Sequence, residues 1–369
     1  MTRVVSRVVI APDSFKGTSS AAEAASALAA GWRAVRPADE LVLRPMADGG
    51  EGTLDAFESA VPGARRMPIT VRGPVSAPVP THWLLLPDGT GVVELAATSG
   101  ITLLDPLAPL DAHSAGFGEA IGAALDAGVE RLMLALGGSS STDGGVGALA
   151  VLGARFEDDS GAAVRLGNRG LGALARIDLS GLRPLPPGGA VILGDVTNPL
   201  LGETGAAAVF GPQKGADAAT VDVLESNLVR LARLVPAAVR PLAASPGAGA
   251  AGGAGFGLLA WGASMGGGAE LVARAVGLNE AIDGADLVIT GEGRFDGQSE
   301  AGKAPTVVAG LAHDVGVAAA LVAGAIASEP RGFAASVALA DLAGSGAAAM
   351  ADPLRWLEAA GERLAGAMG

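Results

Sequence analysis

The chain has 369 residues, a formal net charge of −13, half of its residues hydrophobic, only 3% aromatic residues with no Tyr, and no cysteine. That excludes disulfides, thiolate ligands and a thiol nucleophile, and it argues against nucleic acid, which needs a basic face and stacking platforms. No apolar run approaches the ~18 residues needed to span a bilayer, and residues 1–10 read as the lead-in to a strand and not as a targeting segment, so a cytoplasmic protein of two domains is expected.

In chain order, residues 4–11 form an apolar, β-branched strand. Ser19 and Ser20 are N-cap candidates for an Ala-rich helix to about Val35. A short strand follows at 41–44 and a short helix at 53–60. From about residue 70 to 283 the pattern changes. A hairpin is expected at 79–86 and 90–94 around Pro87-Asp88-Gly89. Next come a helix at 118–127 and a strand at 131–136. Strands are then read at 151–156, where a helix starting near Gly145 is an alternative, and at 190–194. Helices follow at 221–234 and 256–265. The first rhythm resumes with a strand at 286–290, a helix at 306–314, a strand at 317–323, a short helix at 330–335 and a strand at 337–342. An amphipathic helix closes at 353–367. Strands alternating with helices predict an α/β fold with a doubly wound parallel sheet, split by a mixed α/β insert. The boundaries are 1–69 with 284–369 for the discontinuous domain and 70–283 for the insert. The chain is expected to cross near 68–72 and 280–286, with a small-molecule site in the cleft between the halves.

Only three lysines stand against twenty-two arginines, and all three sit in glycine-rich polar loops. They are Lys16 in Asp13-Ser14-Phe15-Lys16-Gly17, Lys214 in Gly211-Pro212-Gln213-Lys214-Gly215, and Lys303 in Gly302-Lys303-Ala304-Pro305. Codon bias could leave such a remnant, but a compact ammonium beside flexible N–H groups suits phosphate or carboxylate. As loop residues, Lys16 and Lys214 are expected to matter for chemistry more than for stability.

Polar loops recur where strands end: after the first strand at Asp13, after the second at Ala47-Asp48-Gly49-Gly50-Glu51-Gly52, and in the insert at Gly137-Gly138-Ser139 through Asp143-Gly144-Gly145. Two more are Asp195-Val196-Thr197-Asn198-Pro199 and Gly291-Glu292-Gly293-Arg294-Phe295-Asp296-Gly297. Ligands of open parallel sheets bind beyond the carboxyl ends of the strands. Each loop alone is an ordinary tight turn, but five with a carboxylate each suit a metal-assisted anion site. Residues 297–304 have P-loop spacing, yet Ala304 stands where a hydroxyl would meet Mg²⁺. Residues 247–252 match the dinucleotide pattern without a preceding strand, and read as a plain glycine-rich loop. His82 and His313 read as structural, and His113 as a weaker substrate contact; no His/Cys cluster suggests zinc and no Gly-x-Ser-x-Gly elbow suggests a serine hydrolase.

In this order, these loops resemble the bacterial glycerate kinase family. The segments are 10–17, 46–53, 137–145, 194–200, 210–216, 246–253 and 289–296 with Ser299 and Gly302-Lys303. The chain departs from the family pattern at Ser141-Thr142 and at Phe117. The resemblance implies a flavodoxin-like domain split by a restriction-endonuclease-like insert. It implies ATP-dependent phosphorylation of D-glycerate to 2-phosphoglycerate with Mg²⁺, by a monomer or homodimer that binds neither nucleic acid nor membrane. Phosphoryl transfer needs cations, metal-holding carboxylates, N–H donors and a base. We therefore allocate Lys16, Asp195, Lys214 and Asp296 to catalysis and Asp48, Asp195 and Asp296 to metal. Asp13, Ser14, Gly49, Gly50 and Ser139 are allocated to substrate or phosphate, as are Asn198, Glu292, Arg294 and Lys303. The identity of the base and the domain that holds ATP stay open. A non-catalytic sensor would explain the lysines but not five carboxylates beside an anion, and an NAD- or flavin-dependent oxidoreductase lacks its fingerprint.

Overall fold

The computed structural model describes residues 5–297 and 303–368. Among these, thirteen strands occur: β1 Arg7–Pro12, β2 Glu40–Leu43, β3 Arg65–Arg72, β4 Pro78–Leu85, β5 Thr90–Glu94, β6 Arg131–Ala135, β7 Arg155–Glu157, β8 Arg176–Asp178, β9 Ala190–Leu193, β10 Ser264–Gly266, β11 Leu287–Phe295, β12 Ala318–Ile326 and β13 Ala335–Ala338. The chain divides into two compact units.

One unit comprises residues 1–48, 55–62 and 267–369. Its sheet runs β13-β12-β11-β1-β2, and every neighbouring pair is parallel. This is the doubly wound, flavodoxin-like order, with its reversal between β1 and β11. β1 lies inside the sheet, between β11 and β2, where Val8, Val9 and Ile10 are fully buried and covered on both faces. Helix Ala21–Val35 starts as expected at Ser20, which forms a capping box with Glu23. Its buried Ala25, Leu28 and Trp32 share a core with Leu357, Ala360 and Leu364 of helix Pro353–Ala367.

The other unit comprises residues 49–54 and 63–266. Its six-stranded sheet, β10-β9-β6-β5-β4-β3, is antiparallel through β3, β4 and β5 and parallel from β5 onward. This is the mixed α/β architecture expected of the insert. Its core gathers Leu134 and Ile192 of the sheet with Phe117, Ile121, Leu228 and Phe256 of the helices.

Several local expectations are corrected. Residues 68–72, read as a crossing, lie in β3, an edge strand with alternate exposure where Pro68 costs little. Residues from 267 onward, including helix Leu278–Ile282, group with the parallel-sheet unit. The helix read at 256–265 is Ala250–Trp261, and residues 264–266 form β10. The alternative reading near Gly145 is the one observed: helix Val146–Val151 precedes the three-residue β7. No helix forms at 330–335; β13 begins at Ala335 and gives way to helix Leu339–Ala343.

Candidate active site

Two of the polar loops flank the reversal point of the parallel sheet. β1 ends at Pro12, paired with Gly291 of β11, and the Asp13 N–H bonds the Gly291 carbonyl at 2.8 Å. Phe15 is buried and its N–H bonds the Ser19 carbonyl at 2.9 Å, which fixes a tight turn. That turn leaves Lys16 at its tip with a side chain 68% exposed and Nζ 4.0 Å from Asp48 Oδ2. Asp13 is buried, and the Ser14 N–H donates to its Oδ1 at 2.6 Å. Burial, reinforced by the charge of Asp48, pushes the Asp13 carboxyl up to about 8 against the pull of that N–H and of Lys16. At the far end of β11, Arg294 Nε lies 3.3 Å from Asp296 Oδ2, while Glu292 is buried.

These side chains share one cavity of about 490 Å³. Asp13, Ser14, Lys16 and Asp48 line it from one side of the reversal point, and Glu292, Arg294, Asp296 and Lys303 from the other. Its remaining wall is apolar: Phe15, Leu339, Ala349, Met350 and Pro353. Lys303 precedes helix Ala304–Asp314, whose first turn contains Pro305. Ser299 and Gly302 of the expected phosphate loop lie outside the described residues.

The remaining predicted residues belong to the mixed-sheet unit. Gly49 takes φ +90° and lies so close to β9 that a Cβ would sit 2.4 Å from the Leu193 carbonyl oxygen. The Gly49 carbonyl accepts from Gly137 N at 2.9 Å, and a Cβ on Gly137 would meet Gly50 Cα. The loops after β6 and before residue 54 are thus pinned backbone to backbone. Buried Glu94 accepts from the N–H groups of Gly52 at 3.3 Å and Leu54 at 3.0 Å. Ser139 follows β6, and Asp195 and Asn198 follow β9. Asp195 is exposed, and Asn198 Nδ2 donates to the Thr204 carbonyl at 2.7 Å.

Lys214 corrects the expectation of an open loop. It ends the one-turn helix Pro212–Lys214, is 2% exposed, and its Nζ donates to Ser139 Oγ at 2.9 Å and to the Ser141 carbonyl at 2.5 Å. Burial pushes its ammonium down to about 7, opposed by the charge of Asp143. Asp143 is itself fully buried, accepting from the N–H and hydroxyl of Ser114 and from Gly145 and Gly147 N–H groups at 3.1 Å. The loop from Ser139 to Gly147 is therefore held by a buried lysine and a buried aspartate.

Glu94, Ser114 and Asp143 were not picked out as site supports. The available signal was a carboxylate ending an apolar strand, or lying between glycines with hydroxyls nearby. His113 is buried, its ring 2.9 Å from Ser76 Oγ, and it orders its own junction. The 247–252 glycines also serve packing: Gly252, at φ +66°, lies where a Cβ would be 2.1 Å from the Ser141 carbonyl oxygen.

Mg²⁺ takes oxygen ligands, usually one or two carboxylates completed by substrate phosphate and water. Among the described residues no three His, Cys, Asp or Glu side chains converge into a ready-made metal cage. Asp48 and Asp296 share the parallel-sheet cavity, whereas Asp195 belongs to the other unit. The donor set suits a cation that arrives with phosphate. No described helix is long and apolar enough to cross a membrane.

Residues 8–369 match the model of the glycerate kinase family. The chain is 44% identical to a glycerate kinase of Bacillus subtilis over 88% of this chain and 86% of that one. It is 43% identical to a glycerate 2-kinase of Escherichia coli over 83% and 82%. A crystal structure of a candidate glycerate kinase 2 from Salmonella typhimurium LT2 superposes with a TM-score of 0.85 at 37% identity, covering 99% of this chain and 98% of that one. The chain belongs to the glycerate kinase family and is an enzyme, a phosphotransferase with an alcohol group as acceptor.

Proposed function

We propose that the enzyme transfers the terminal phosphoryl group of ATP to the 2-hydroxyl of D-glycerate, giving 2-phosphoglycerate, with Mg²⁺ as the accompanying cation and residues of both units taking part. One observation carries this reading: a cavity at the reversal point of a parallel sheet sets lysines and arginine among carboxylates. The reading is supported by relatives named glycerate kinase and glycerate 2-kinase.

Phosphoryl transfer is chiefly positioning and charge neutralisation. Lys16, Arg294 and Lys303 supply positive charge to the cavity, and the Ser14 hydroxyl adds a polar contact. Asp48 and Asp296 would hold Mg²⁺, whose chemistry is to neutralise phosphate charge. Asp13, buried beside Asp48, would sit next to that cation and the phosphate it carries. In the other unit the Gly49-Gly50 backbone, Ser139, Asp195 and Asn198 would meet the acceptor, and Lys214 would hold Ser139 in place.

The test is to incubate the protein with Mg-ATP and D-glycerate, measure ADP, and assign the product by phosphorus NMR. The 2-phospho isomer is expected. The 3-phospho isomer alone would overturn the regiochemistry, and no glycerate-dependent ADP would overturn the activity.

A further inference from the structure

The cavity of the parallel-sheet unit is built for two unlike halves of one ligand. Its volume of about 490 Å³ falls within the ~300–1,000 Å³ of sites that enclose drug-sized molecules. A three-carbon acid would leave most of it empty. Every carbon of glycerate carries oxygen, so the wall of Leu339, Ala349, Met350 and Pro353 offers it nothing. A flat aromatic base suits that wall, and a Met thioether packs well against such a ring. The opposite side carries Lys16, Arg294 and Lys303 among four carboxylates. A bare small anion would meet as much negative charge as positive there. A polyphosphate travelling with a divalent cation satisfies both signs.

We infer that this cavity is the nucleotide subsite, with the base against the 339–353 wall and the phosphates toward Lys16 and Lys303. The acceptor acid is then left to groups outside it. The inference rests on the phosphotransfer reading above and adds to it the place and orientation of the nucleotide. Met350 is 64% exposed, so its replacement leaves the core intact.

The test is calorimetric titration of the full chain and of Met350→Asn and Lys16→Met with Mg-ADP, Mg-pyrophosphate and D-glycerate in turn. Met350→Asn is expected to weaken Mg-ADP about fivefold, leaving Mg-pyrophosphate and D-glycerate as in the wild type. Lys16→Met is expected to weaken both phosphate ligands. Irradiation with azido-ADP should label the peptide spanning residues 339–353. Unchanged Mg-ADP affinity in Met350→Asn, or label found only in residues 63–266, overturns the assignment. Equal loss of Mg-ADP and Mg-pyrophosphate overturns the orientation. If the wild type phosphorylates glycerate and any of these results is obtained, the subsite falls and the reaction stands. If the wild type neither binds Mg-ADP nor turns over, both fall.

Discussion

Lys16 and Lys214 come from loops that look alike in sequence, and they end in opposite surroundings. Lys16 stands at the tip of a turn, two-thirds exposed, beside Asp48. Lys214 is sealed in the interior, where a hydroxyl and a carbonyl take two of its donors and burial loosens its proton. One lysine is free to follow a ligand; the other is part of the frame that shapes a loop. Residue type and glycine context select both, but only burial separates a mobile charge from a structural one.

The strongest way to break this contrast is Lys16→Met. It should lower kcat/KM at least about a hundredfold, roughly 2.7 kcal/mol of transition-state stabilisation, with no change in the thermal midpoint. Steady-state kinetics and a melting curve read the two halves, and near wild-type kinetics would remove Lys16 from the site. Lys214→Met should instead lose stability as well as activity, by about 1–3 kcal/mol, because Ser139 Oγ and the Ser141 carbonyl lose a buried donor. Urea unfolding measures it; an unaltered midpoint would mean that relief from the desolvated ammonium offsets the lost bonds. On the carboxylate side, Asp296→Asn should raise the Mg²⁺ concentration needed for half-maximal rate about tenfold, whereas Asp195→Asn should lower kcat at saturating Mg²⁺. Identical Mg²⁺ profiles for the two variants would erase the division between the units.

The last contrast is in pH. Lys214 in the folded chain gives up its proton near 7, but the unfolded chain keeps it to 10.5. Between these values the unfolded state binds more protons, so this group makes stability rise with pH. The stability difference between wild type and Lys214→Met should therefore shift in favour of the wild type from pH 7 to 10. A shift the other way would show an ammonium stabilised by Asp143.

Much of the frame was legible in the sequence. β1, β2, β11 and β12 read as apolar runs ended by polar glycine loops, and helices Thr53–Ala60 and Pro353–Ala367 matched their periodicity. β3 did not: Met67, Ile69 and Val71 alternate with exposed neighbours, but Pro68 and the flanking arginines read as a crossing segment. At the site, the charged lining of the cavity was visible in the sequence as charges in glycine loops. Its apolar wall was not: Leu339, Ala349 and Met350 look like any core residues until short helices turn them toward Lys16.

The partnership of β1 with β11 has a consequence for biogenesis. Ala11 and Thr290, bonded across these strands, are 279 positions apart. At ~5–20 residues per second, β1 waits roughly 15–60 s on the ribosome for its neighbour. Meanwhile residues 63–266 emerge as one uninterrupted stretch that can fold ahead of both ends. Val8, Val9 and Ile10, fully buried in the finished sheet, are sticky nascent chain during that interval. The doubly wound sheet is thus the last part of the protein to be born, and its yield in a cell should depend on chaperones that shield an early strand until translation delivers its late partner.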